Sequence, residues 1–343
     1  MSLPKLFLAV SVSLFVLIGV LSVVKQSHRN NSVESTEPVI RQDVDLTLLA
    51  RSHEIQQSPV GPIQTDLPSP TAPTPQSLPV EERPVVIEHD AEPESLSALF
   101  VKNSSCPIVE TIVYKSHVPW KRNRQAWLID YANYYKTPLD FLYRCLNNKA
   151  DYTPRDVAEG VQFNVYRRNL DFRFHAIVSL SSCRLRLYYV IPGERRVVFL
   201  KSYQVCVGRK DASRASGFLT PLGTYQLGSR VAVFRPRMMG MHKNKKVEMI
   251  QVFGTHWIPF EREISGCTEP AKGFGIHGTP IHHNEQTGQL EEDTSSIGQS
   301  ESDGCIRVAN KDMHELFSIV STRTTYVEIV PSFQQSKVLR GEI

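Results

Sequence analysis

The chain has 343 residues and a formal net charge of +4, with acidic and basic residues mixed along its length. That length leaves room for two domains, and the mild, mixed charge argues against a dedicated nucleic-acid binder. The six cysteines, at 106, 145, 183, 206, 267 and 305, form no CxxC or paired CxxC, which excludes the familiar zinc-ligand spacings.

Leu6 to Val24 is an apolar or small-polar run without charge, long enough to cross a bilayer as a helix. Leu21-Ser22-Val23-Val24-Lys25 offers no small-x-small cleavage site, so residues 1–29 are expected to be a retained signal anchor, with a cleaved signal peptide as the alternative. Lys5 precedes the run while Lys25 and Arg29 follow it, so flanking charge leaves its orientation open. Residues 30–97 read as a disordered linker. Ten of the 22 prolines fall between Pro38 and Pro93, and such a segment buries too little apolar area to offset its ordering entropy. Extended at ~3 Å per residue it would reach on the order of 200 Å, a tether needed for reach and not for chemistry.

Between residues 108 and 168, "IVETIVYK" alternates like a strand and "RQAWLIDYANYY" sets Trp127, Tyr131 and Tyr134 or Tyr135 at helical spacing. "TPLDFLYRCLN" restarts a helix at Thr137, a candidate N-cap with Pro138 at N1 and Leu139, Leu142 and Leu146 inward. "EGVQFNVY" closes with a strand. This strand, two-helix, strand order resembles the lysin motif, through Leu128, Tyr131 to Tyr135, "TPLDFL", Asn147-Asn148 and the last strand. The resemblance implies a small α+β peptidoglycan-binding module. "PWKRNR" stands where the motif usually opens with Gly-Asp-Thr-Leu, and a helical spacer without a ligand is the alternative.

From Phe172 to Ile329 the pattern is mainly β. "RLRLYYVI" and "RRVVFLKSYQVCVG" flank the turn Pro192-Gly193-Glu194 and predict a hairpin. "TPLGTYQLG", "VEMIQVFG" and "TTYVEIV" predict further strands, and "NKDMHELFSIV" a helix with Asn310 as N-cap and Met313, Leu316, Phe317 and Val320 inward. Short strands between Gly and Pro turns predict a sandwich or closed sheet.

Within this region "GFGIHGTP" and "SDGCIR" place His277 and Cys305 beside glycines. A free thiol has a pKa near 8.5, so a nucleophilic cysteine needs a neighbouring base or positive charge, and His277 is the candidate. Taken as bare chemistry, two readings stand: a Cys-His acyl-transfer site, or a buried cysteine and an unrelated loop histidine. His277, His282 and His283 form H-x4-H-H, which matches no established zinc spacing, so no metal is expected. In an oxidising compartment Cys106 and Cys145 would be the first disulfide to test, with free buried thiols as the alternative.

"TPLGTYQLG", "GFGIHGTP" and "SDGCIRVANKDMHEL", in that order before a terminal strand, resemble the L,D-transpeptidase catalytic domain over residues 175–331, leaving 332–343 as a tail. The resemblance implies a β-sandwich-like fold with Cys305 as nucleophile and His277 as general base. The Gly278 carbonyl would hold the His277 tautomer, and the Gly304 and Cys305 amides would form the oxyanion hole. Arg307 would fix the loop or meet a substrate carboxylate. Thr220, Pro221, Gly223 and Thr224 would be structural.

The apolar run together with this resemblance would make the protein a membrane-anchored enzyme on the periplasmic side of a bacterial inner membrane, or a periplasmic one after cleavage. It would cleave after the third residue of a peptidoglycan stem tetrapeptide and pass the acyl group to an amine, with stem peptides and glycan strands as partners and no cofactor. An L,D-carboxypeptidase using water, or a non-catalytic wall-binding protein, are the alternatives.

Two features depart from the family. Asp303 stands where it usually has His, and "PIHHNEQTGQLEEDTSSIGQSES" between Pro280 and Ser302 is long and acidic, a candidate mobile lid. Asp303 is expected either to orient His277 or, preferably, to turn away and pair with Arg307 or Lys311. The basic, Met-rich "FRPRMMGMHKNKKVEM" is expected either to cover the cleft, meeting stem carboxylates through Arg235, Arg237 or Lys243 to Lys246, or to be a solvated loop.

Overall fold

A computed structural model describes residues 86–88, 94–147 and 157–342, all within one compact unit. Alternating apolar residues, turn glycines and two short helical stretches give β1 (Val86–Glu88), α1 (Glu94–Ser97), β2 (Val109–Val113), α2 (Leu128–Tyr135), α3 (Leu139–Asn147) and β3 (Gln162–Tyr166). The next stretch is β4 (Arg173–Ser179), β5 (Arg184–Ile191), β6 (Arg196–Gly208), β7 (Gly223–Leu227), β8 (Ala232–Val233), β9 (Met239–His242), β10 (Lys245–Glu248) and α4 (Ile250–Phe253). It ends with β11 (His256–Ser265), β12 (Gly275–Gly278), β13 (Ile281–His283), β14 (Leu290–Glu292), β15 (Ser300–Ser302), β16 (Ile306–Val308), α5 (Asn310–Val320) and β17 (Thr325–Val330).

Eleven strands share one sheet in the order β1-β6-β16-β12-β11-β7-β17-β4-β5, and β5 pairs again with β6. The path therefore closes on itself, and β1, β8 and β15 attach to it at the side. This is a mainly β domain built as a closed sheet. The Pro192–Glu194 turn joins β5 to β6, with Arg195 in the left-handed region to complete it. Inside lie Leu185, Leu187, Val205, Ile258, Ile276, Ile306 and Val308, with Met313, Leu316, Phe317 and Val320 of α5 packed against them. On the outer face Ile177, Tyr188 and Val330 are covered by Val338 of the C-terminal tail, which Glu328 anchors by accepting from Ser336 Oγ and from the Lys337 amide at 2.7 Å.

β2 and β3 pair antiparallel from Val109↔Tyr166 to Val113↔Gln162, with α2 and α3 between them in sequence. This layer does not stand apart. Its Phe141, Leu142, Phe163 and Tyr166 belong to the same buried cluster as the closed sheet. Tyr166 donates from its hydroxyl to Ile319 O at 2.7 Å, and Arg144 of α3 lies 3.4 Å from Glu315 of α5.

Several local expectations change. Thr137 does not cap α3: it is buried, and its hydroxyl accepts from the Tyr166 amide at 2.9 Å, joining the helices to β3. "VEMIQVFG" is not one strand. β10 ends at Glu248, and the buried Ile250 and Phe253 then close a helical turn stopped by Gly254 at φ 62°. Asn310 opens α5 as its first helical residue, and its side chain is drawn into the core instead of capping. All six cysteines are free, Cys106 and Cys145 included. The Pro280–Ser302 stretch contains a hairpin of β13 and β14 followed by β15, which pairs with β6.

The N-terminal calls fall mostly outside the described residues. Among those described, no helix is long and apolar enough to cross a membrane, and the Leu6–Val24 run lies beyond them. The stretch read as linker to residue 97 includes two ordered pieces. β1 adds in parallel to the open edge of β6 at Arg196–Val198, and Leu96 and Leu99 beside α1 are buried. A chain starting at Ala98 is therefore expected to be less stable than one starting at Arg83. Loss of Leu96 burial alone is worth about 2 kcal/mol, read as a lower denaturant midpoint. Equal midpoints would remove β1 and α1 from the folded unit.

Candidate active site

β12 and β16 run side by side in parallel, with Ile276↔Ile306, His277↔Arg307 and Gly278↔Val308 in register. Because side chains alternate, Ile306 and Val308 enter the core while Cys305 and Arg307 stay half-exposed on the opposite face. His277 projects to that same face. Cys305 directly precedes β16, so it sits one two-residue step from His277 on the neighbouring strand, with Cα atoms roughly 8 Å apart from strand geometry. The two motifs are thus brought together by one parallel ladder.

His277 is buried between Phe253 and Trp257, at ring-centroid separations of 5.2 and 5.6 Å. Its Nδ1 lies 2.7 Å from the Gly278 carbonyl, which accepts only if Nδ1 carries the proton. That leaves Nε2 as the basic nitrogen. Burial holds the imidazole neutral, with its pKa pushed down to about 4, while the Gly278 and Phe253 carbonyls oppose that shift and Arg307 and His242 add to it. Burial pushes the Cys305 thiol up to about 11, against the Gly275 amide and the Arg307 charge, which favour the thiolate. At neutral pH Cys305 therefore rests as a thiol, donating to Gly273 O at 3.6 Å, and His277 as a neutral imidazole. Such a pair reacts by transferring its proton as the sulfur attacks.

The turn carrying Cys305 is tightly built. Gly304 has φ 118°, and a Cβ there would come within 2.8 Å of Phe274 and 2.9 Å of Leu219 O. Thr220 is fully buried. Its hydroxyl donates to Gly304 O at 2.8 Å and accepts from the Gly208 amide at 2.6 Å, joining β6 to the nucleophile turn. Ser302 Oγ accepts from the Gly304 amide at 3.1 Å and donates to Cys305 O at 2.6 Å, so the Gly304 amide is engaged in the resting state. Thr220→Val keeps the shape and removes both bonds, and is expected to cost about 2–4 kcal/mol by orphaning two buried backbone groups. An unchanged unfolding free energy would show that the turn does not depend on Thr220.

Residues 173–329 match the YkuD L,D-transpeptidase catalytic domain. That stretch runs from β4 to β17. A Bacillus licheniformis protein bearing the YkuD L,D-transpeptidase name is 29% identical over 158 residues, which are 46% of this chain and 66% of that one. Among solved structures, the helical cell shape determining protein Pgp2 of Campylobacter jejuni matches with 18% identity and TM-score 0.32, over 50% of this chain and 53% of its own. Bdellovibrio bacteriovorus Bd1075 matches with 14% identity and TM-score 0.32, over 47% and 48%. The chain thus spans about half the length of those two structures, and the fold assignment rests on the strand order and the family match.

The matched domain holds its other sequence-predicted residues in varied places. Asp303 turns to solvent and pairs with Arg209 at 2.9 Å and Lys243 at 2.7 Å, neither of which is Arg307 or Lys311. Those cations hold its carboxyl below the usual range, the Lys243 hydrogen bond contributing most against the opposing effect of burial. Arg307 has a buried Nε without a hydrogen-bond partner. Arg235 and Arg237 lie exposed on the turn before β9, where their backbone amides, not their guanidinium groups, make the recorded contacts, to Met238 Sδ and Glu248. Pro221, Gly223 and Thr224 run into β7; a Cβ on Gly223 would lie 2.5 Å from Cys267 Cα. His283 pairs with Glu248 at 3.3 Å, and among the described residues no three His, Cys, Asp or Glu side chains gather to hold a metal.

Sequence reasoning took Asn310 for a helix cap and missed Glu292. Asn310 Oδ1 accepts from the Thr255 amide at 2.8 Å and Nδ2 donates to Thr279 O at 2.8 Å, so it holds the residues following both α4 and His277. Glu292 accepts from the Asn310 amide at 2.7 Å and from Thr279 Oγ1, which pins the acidic hairpin behind the site. Both partners of Asp303 were also missed as a pair. The only local sign was the basic stretch around Lys243.

Proposed function

We propose that this chain is a peptidoglycan L,D-transpeptidase in which Cys305 is the nucleophile and His277 the general base. The observation that carries the reading is the parallel pairing of β12 and β16, which sets Cys305 one two-residue step from a buried His277 whose Nδ1 is held by the Gly278 carbonyl. His277 Nε2 takes the thiol proton as Cys305 Sγ attacks the carbonyl carbon of the third stem residue. The Cys305 amide, with the Gly304 amide once Ser302 Oγ yields it, meets the oxyanion. As the carbon–nitrogen bond breaks, the imidazolium returns the proton to the leaving amine, releasing the terminal amino acid and leaving a thioester. An amine acceptor then attacks that thioester. His277 removes its proton and passes it to the departing sulfur, so no cofactor enters the balance.

The N-terminal part serves reach and capture in this reading. Residues 1–29 anchor the chain in the inner membrane, with the enzyme on the periplasmic side, and the Pro-rich segment spans the gap to the wall. The lysin-motif-like layer, residues 108–168, meets glycan strands. An open cavity of about 630 Å³ there is lined by Glu110, Tyr134, Tyr135, Arg167, Arg168 and Glu194, a mixture of aromatic and polar groups suited to sugars and amides.

Incubation of the purified protein with tetrapeptide muropeptides, followed by mass spectrometry, tests the reading. Cross-linked dimers are expected. Tripeptides alone would instead make it an L,D-carboxypeptidase, and unchanged substrate would leave a wall-binding protein.

A further inference from the structure

Asp303 places a carboxylate on the open face of the nucleophile strand, two residues from Cys305, and two cations already hold it. Arg209 reaches it from the end of β6, where the backbone is fixed by the Arg209 amide donating to Ser302 O at 3.0 Å and Arg209 O accepting from the Leu219 amide at 2.9 Å. Lys243 reaches it from the tight turn of the β9–β10 hairpin, where Lys243 and Asn244 both have positive φ, at 48° and 63°. The three side chains are 50% exposed or more, so solvent and ligands have access to the group.

We propose that Arg209 and Lys243 form a carboxylate-binding subsite for the terminal carboxylate of the residue released from the stem, and that Asp303 fills it until substrate displaces it. The proposal rests on the acyl-donor reading of Cys305. Connectivity fits the assignment. In the bound stem, three bonds separate the attacked carbonyl carbon from the terminal carboxylate carbon, and Asp303 lies within about 7 Å of Cys305 along the chain. Exchange is cheap, because exposed ion pairs are worth only about 0–1 kcal/mol each. Two cations against one internal carboxylate leave a net positive charge to attract an anion. Asp303 is taken up by Arg209 and Lys243, while the Gly278 carbonyl holds the His277 imidazole.

The test uses the full chain with Cys305→Ala, so that binding is read without turnover. Its ligands are a stem tetrapeptide ending in D-alanine and the same peptide ending in D-alaninamide. The acid should bind about two- to threefold tighter than the amide at low salt, since its carboxylate largely replaces the pairs of the one it displaces. Adding Arg209→Met with Lys243→Met should bring the acid-to-amide ratio close to one. Adding Asp303→Asn should tighten the acid about three- to tenfold and leave the amide alone. Equal binding of acid and amide, binding of neither, or a preference that survives loss of both cations would overturn the subsite. An equal loss for both ligands in the double variant would also overturn it, by reducing the pair to a hairpin support. The acyl-donor reading fails separately, if the chain with Cys305 intact forms no acyl-enzyme from either peptide.

Discussion

Replacing Cys305 by alanine is expected to abolish turnover, by at least a thousandfold, while the circular dichroism spectrum and unfolding midpoint stay unchanged. Cys305 Sγ donates to Gly273 O at 3.6 Å, a contact too weak to matter for stability. The other cysteines are poor substitutes: four are buried, and Cys267 donates to Thr224 O at 3.1 Å on another strand. A thiol whose pKa is pushed up to about 11 should also alkylate slowly at pH 7, with a rate rising roughly tenfold per pH unit above it. Substrate turnover would not follow that slope, because His277 removes the proton within the reaction. Full activity in the alanine variant, with the fold intact, would reject Cys305.

Acid should destabilise this protein strongly, and the second large effect is expected between pH 6.5 and pH 4. Burial pushes the pKa of His175 down to about 3 and those of His256 and His277 to about 4, from an ordinary value of 6.5. His175 has neither ring nitrogen hydrogen-bonded and lies against Tyr326, so nothing favours its cation. Since these folded-state values are depressed, the unfolded chain binds more protons below pH 6.5, and stability falls as pH drops. Above pH 6.5 the effect vanishes. Each histidine accounts for about 3 kcal/mol by pH 4, so together they approach the whole stability of a typical domain. Denaturant titrations at pH 7.5 and 4.5 should differ by more than about 4 kcal/mol, and His175→Leu should shrink the gap by about a third. A flat profile would mean that these rings reach water when protonated.

Much of this was written in local pattern. Alternating runs around Pro192-Gly193-Glu194 gave the β5–β6 hairpin, and the inward residues of α5 were read at their spacing. The glycine-flanked Cys305 and His277 were legible because tight turns leave a mark in composition. What was not legible depends on distant partners. Asn310 looks like a helix cap until Thr255 and Thr279 claim its side chain from 55 and 31 residues away. Asp303 finds Lys243 across 60 residues, so sequence neighbours such as Arg307 and Lys311 were the natural but incorrect partners to name. The acidic 280–302 stretch had the composition of a mobile loop. It folds as a hairpin whose Glu292 answers backbone and hydroxyl donors at Asn310 and Thr279, an interaction no local pattern announces. Residues 86–88 escaped notice because a three-residue strand gains its meaning only from the β6 edge it covers.

The central claim is that Cys305 carries the acyl group, and intact-protein mass spectrometry reads that group directly. The purified chain, mixed with a stem tetrapeptide in the absence of an amine acceptor and quenched in acid within seconds, should gain the mass of the tripeptide acyl group on one molecule of protein. Proteolysis should place the adduct on the peptide containing Cys305, and the Cys305→Ala chain should show none. An adduct of unchanged stoichiometry on the alanine variant, or turnover with no thioester at any quench time, would contradict the account.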